Sequence, residues 1–111
     1  MDKTCKLEIL PPAQAELEEI ARVHMALSGP QSARRITDKI YDAMDQLTHF
    51  PLSGPPIRDE QLRAAGYRYI LAGPYLVIYR LLGDTIFIYH IPHGASDYPK
   101  LFRTSFFKIV F

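Results

Sequence analysis

Cysteine is nearly absent from this chain. Cys5 stands alone, so no disulfide can form within it, and a reducing compartment, the cytoplasm, is expected. An excess of charge of one sign is also lacking. The formal net charge is +1, so no global field announces a nucleic-acid binder, although a local basic patch stays open. Long apolar runs are missing too. The stretch 76–82 is cut by Arg80 and is far too short to span a bilayer. Residues 1–12 carry no apolar core of the kind a signal peptide needs. There is no internal repeat, no low-complexity tract, and no dinucleotide, Walker, nucleophile-elbow or zincin motif.

What is present is ordinary for a globular protein: 111 residues, 48% apolar and 23% charged. A chain of this length is expected to form one domain over 1–111. It can bury roughly 65% of its unfolded surface, so its core needs neither metal nor disulfide.

The most informative stretch is 67–98. It reads as three consecutive strands, 67–71, 75–82 and 85–91, rich in β-branched and aromatic residues, with Gly73-Pro74, Gly83-Asp84 and Pro92 at the breaks. Gly83-Asp84 signals a hairpin, because glycine at the first loop position permits positive φ. Upstream, residues 5–10 alternate as a half-buried strand ended by Pro11-Pro12. A helix over about 12–27 follows, with Leu17, Ile20, Ala21, His24 and Leu27 on one face. There Glu16, Glu18, Glu19 and Arg22 read as a solvated face. After Ser28-Gly29-Pro30 a second helix, about 31–50, repeats Ala33, Ile36, Ile40, Ala43 or Met44, Leu47 and Phe50 at helical steps. So short a connection makes the pair an antiparallel hairpin. Residues 51–66 read as a loop with one helical turn near 60–65. The tail, 99–111, is apolar without a clear period. It reads either as a last element covering a sheet face or as an exposed segment that invites association.

The order β-α-α-β-β-β predicts an α+β fold: an antiparallel sheet, the first strand at an edge, and the N-terminal helical hairpin across one face. The other face is expected to stay half open and to bind. Charges within apolar strands must face water, a partner or a ligand. Arg68 and Arg80 therefore read either as phosphate or carboxylate forks or as solvated strand positions or structural salt bridges. His93, just past the last strand, reads either as a proton donor and acceptor near neutrality or as a loop residue that packs. His90 is expected to pack. The spacing of His90 and His93 offers too few ligands for zinc, and no cofactor is expected. Tyr67, Tyr69, Tyr75, Tyr79, Tyr89 and Tyr98 read either as base-stacking groups or as sheet packing. Arg68, Arg80 and His93 are expected to converge over the uncovered face of the sheet.

The features Pro12-Ala13, Leu17 and Ile20; Ala33 and Ile36; Leu47, Phe50-Pro51 and Gly54; Gly66-Tyr67-Arg68; the run 75–80; and 86–91 with His93 follow in order over residues 5–98. In this the chain resembles the RelE/ParE superfamily, the toxins of bacterial type II toxin–antitoxin, or plasmid stabilisation, modules. The resemblance implies a toxin domain whose core is 5–98, neutralised by an antitoxin that wraps its sheet and helices in a hetero-oligomer. Members near RelE cut mRNA on the ribosome without metal; members near ParE poison DNA gyrase. Leu76 stands where the nuclease branch has an arginine, and Ala95-Ser96-Asp97 where it has basic residues, so the ParE-like reading is preferred. The resemblance makes Arg68, Arg80 and His93 the candidate catalytic or functional set, with Tyr75, Tyr79 and Tyr98 as candidate binding residues. The alternatives are a metal-independent endoribonuclease acting on ribosome-bound mRNA and a non-toxic relative that only forms complexes.

Overall fold

In the computed structural model, residues 4–103 are described. The chain runs β1 (Lys6–Ile9), α1 (Pro11–Ser28), α2 (Pro30–His49), α3 (Glu60–Ala64), β2 (Arg68–Ala72), β3 (Tyr75–Leu82) and β4 (Thr85–His90). Residues 99–103 form a terminal helical turn. The rest of the tail, 104–111, lies outside the described residues, and with it most of the expectation made for that segment.

Local chemistry accounts for the elements. Pro11 and Pro12 sit in the first turn of α1, where a missing N–H costs nothing. Gly29 closes α1 with its N–H to Met25 O and opens α2 with its carbonyl to Ala33 N. The two helices therefore turn back on each other through a single residue. In α2 the expected stripe is buried from Ala33 to Leu47. It stops there: the helix ends at His49 and Phe50, with a non-helical backbone, is 65% exposed. The stripe of α1 is shorter than expected. Ala13, Leu17 and Ile20 are buried, but Leu27 is 79% exposed, because only the first half of α1 reaches the core. Gly73 and Gly83, both at positive φ, occupy the first loop position of the two hairpins.

The fold class is the one expected, α+β with four strands and a helical hairpin. The sheet order is β1-β4-β3-β2. β2, β3 and β4 are antiparallel, while β1 adds at the edge parallel to β4, which makes the sheet mixed there. The helices cover one face, with Val77, Tyr79, Ile86 and Ile88 beneath Leu17, Ile36, Ile40, Met44 and Leu47. The second face is less open than the sequence reading implies. Ile57, Leu62, Tyr98 and Phe102 pack over Leu76, Ile78, Tyr67 and Tyr69. Among the described residues no helix is long and apolar enough to cross a membrane.

Candidate functional site

The expected convergence of cations does not occur. Side chains alternate across a strand. Arg68 pairs with Tyr79 and shares its helix-covered side, whereas Arg80, the next residue along β3, faces the other way. The two guanidinium groups are on opposite faces of the sheet.

Arg68 and Tyr79 together hold a loop. Tyr79 is fully buried. Its hydroxyl donates to Pro51 O (2.8 Å) and accepts from Gly54 N (3.1 Å), while Arg68 Nη1 donates to Gly54 O (2.7 Å). Burial pushes the Tyr79 phenol above its ordinary pKa. Gly54 is required because a Cβ there would overlap Tyr69 O and stand 2.8 Å from the Tyr79 hydroxyl.

On the other face Arg80 lies between two rings, 4.7 Å from the centroid of Tyr67 and 5.0 Å from that of Tyr89. Its Nη2 donates to Tyr89 Oη (2.7 Å) and its Nη1 to Ala65 O (3.2 Å). Both arginines thus donate to groups within the chain. Tyr98 belongs to a separate groove of about 440 Å³, shared with Arg58, Tyr69, Leu71, Leu76 and Gly94. Burial, then the nearby Asp59 carboxylate, raises its pKa.

Tyr75 and His93 do come together. They bridge antiparallel at the end of β3, with ring centroids 5.7 Å apart. His93 is exposed, and its Nδ1 accepts the N–H of Ala95 (3.1 Å). The Tyr75 hydroxyl meets His24 Nε2 at 3.1 Å. Beside them Glu16, Glu19, Ile20, Val23 and Ile91 complete a cleft of about 260 Å³.

Glu16 corrects the sequence reading, which put it on a solvated face. β1 leaves the sheet at Leu10, whose N–H reaches Ile88 O (3.0 Å), so the backbone of β4 beyond that point loses its strand neighbour. The Glu16 carboxylate takes that place, accepting Ile91 N–H at 2.6 Å and meeting His90 Nδ1 at 2.8 Å. A bulge in β4 pairs His90 with Ile78 instead of leaving it under the helices, and its ring meets Phe102 at 4.8 Å. His90 is therefore buried, as expected, and also tied to α1. The sequence held a signal for Glu16: it falls within the Ala13, Leu17, Ile20 stripe at helical spacing. His24 carried the same mark, on the face of Leu17 and Ile20, whereas Glu19 carried none.

Among the described residues no three His, Cys, Asp or Glu side chains group closely enough to hold a metal ion. The arrangement at Tyr75 and His93 offers a shallow, partly apolar cleft with acidic and aromatic walls, suited to recognition.

Comparison with known proteins agrees with the fold. Residues 7–98 match the family described as ParE toxin of type II toxin–antitoxin system, parDE. No curated protein matches the sequence. Among solved structures, a chain of the chromosomal ParDE TA system from P. aeruginosa has TM-score 0.70 at 22% identity, covering 82% of this chain and 97% of that one. A chain of the toxin–antitoxin complex RelBE2 from Mycobacterium tuberculosis has TM-score 0.61 at 23% identity, covering 84% and 94%. At these identities the likeness is one of fold.

Proposed function

This chain belongs to the ParE toxin family of type II toxin–antitoxin systems, and on that premise we propose that it arrests growth by binding DNA gyrase and is neutralised by a cognate antitoxin in a hetero-oligomer. One observation carries the choice of binding over cleavage. A nuclease needs positioned cations and a proton-transfer group around one phosphate. Here Arg68 and Arg80 lie on opposite faces and are bonded to Gly54, Ala65 and Tyr89 within the chain, so neither is aimed at a phosphate beside His93. Tyr75 and His93 then act as contact residues. The reading calls for a cytoplasmic protein, in keeping with the single cysteine.

Purified toxin added to gyrase, ATP and plasmid tests it. The expected result is inhibited supercoiling and accumulation of double-strand-cleaved plasmid, with ribosome-programmed mRNA left intact. Cuts in that mRNA at codon positions, with gyrase unaffected, would overturn the proposal in favour of the nuclease.

A further inference from the structure

We propose that the cleft between α1 and the end of β3 seats a lysine or arginine of the antitoxin, presented by an amphipathic helix whose apolar stripe covers Val23 and Leu27. The inference rests on the toxin–antitoxin reading above and adds to it the chemistry of one contact.

Three observations carry it. The first is size: at about 260 Å³ the cleft is smaller than the roughly 300–1,000 Å³ of small-molecule and cofactor sites, and it suits one long side chain. The second is charge. Glu16 and Glu19 line the cleft and no lysine or arginine does. Glu16 is held in place by His90 and Ile91. Glu19 gives Oε1 to Arg22 one turn on, which leaves Oε2 for an incoming cation. The walls agree: Tyr75 and His93 offer aromatic surface to a cation, while Ile20, Val23 and Ile91 offer apolar surface to the methylene stem behind it.

The third observation is continuity. Val23, 39% exposed, belongs to the cleft, and Leu27 lies one turn further along the same face and is more exposed still. Ile20, Val23 and Leu27 thus make a stripe at helical spacing that leaves the core after Ile20 and continues on the surface. A helix laid along α1 covers that stripe with its own apolar residues and reaches the carboxylates with a basic residue one or two turns away. The pairing is self-consistent, because the apolar contacts supply area and the charge fixes register.

The test uses this protein and the full-length product of the reading frame adjoining its own, with affinity measured by titration calorimetry. Both substituted positions are at the surface, so Glu19→Lys and Val23→Asp should melt within a few degrees of the parent. Each is expected to weaken binding by about tenfold or more, the Glu19→Lys effect shrinking as salt is raised. Reversing one basic residue of the partner to glutamate should restore affinity to Glu19→Lys. Affinities within twofold of the parent for both variants would overturn the cleft assignment and leave the toxin–antitoxin reading standing, as would a loss that no reversal in the partner restores. No binding by the parent protein would overturn both.

Discussion

Tyr75 and Tyr79 point to the same side of β3 from positions four residues apart, one at the mouth of the α1 cleft, the other beneath the loop at Pro51 and Gly54. Both are tyrosines in an apolar strand with a basic residue nearby, and the family resemblance makes both candidate binding residues. In the middle of the strand, α2 and the loop close over the ring. The Tyr79 hydroxyl must then find partners inside, and it finds two backbone groups, Pro51 O and Gly54 N, on a loop that Arg68 also holds through Gly54 O. At the first residue of the strand Tyr75 is only partly covered. Its hydroxyl is met by a side chain, His24, and its ring stays half-buried beside the exposed His93. A polar group in a strand is committed to the fold where the chain closes over it and ties it to backbone, and stays at the surface where the chain covers it only in part.

That contrast can be broken by substitution. Gly54→Ala should be the most damaging change. Its new Cβ would press on backbone and on a buried ring that cannot move, and a cost of about 3 kcal/mol is expected in urea unfolding. If Gly54→Ala unfolds at the parent midpoint, the loop is not clamped as described.

Tyr79→Phe should cost about 2 kcal/mol, since it leaves Pro51 O and Gly54 N without their partner. It also carries a pH signature. Burial raises the Tyr79 pKa above 10.0, so the folded state favours the neutral phenol. Its contribution is full below the unfolded value and is lost as pH rises through 10.0 towards the folded value. Tyr67 and Tyr98 are raised in the same direction. Stability of the parent should therefore fall above pH 10, and Tyr79→Phe should fall less steeply. Equal slopes would show that the phenol is not the group responsible.

The smaller effects sharpen the comparison. Arg68→Ala should cost about 1 kcal/mol by freeing Gly54 O, and any loss of growth arrest should track that loss of stability. His93→Ala should leave stability within about 0.5 kcal/mol of the parent and still weaken growth arrest when the toxin is induced. If the two variants behave alike in both measurements, the division between a structural and a recognition tyrosine fails.

Much of this architecture was legible in the sequence. The three strands, both hairpin breaks, the 31–50 helix and the turn near residue 60 lie within two residues of where the sequence places them, because period, proline and glycine act locally. The misreadings share another cause. Leu27 and Phe50 continue a helical period and still end outside, since burial needs something to pack against. Glu16 reads as solvated until β1 ends early and exposes the backbone of β4. Arg68 and Arg80 differ by an even number of positions in the chain, and only the pairing of β2 with β3 puts them on opposite faces.

By itself the sequence determined the elements, their order and the greasy stripes that bring helices to sheet, because those follow from dihedral preferences and hydrophobic period within a few residues. Only the tertiary structure decided which polar groups the chain would satisfy internally. That outcome depends on strand register, on where a neighbour stops, and on which carbonyl happens to lie within about 3 Å, distances that no linear pattern records.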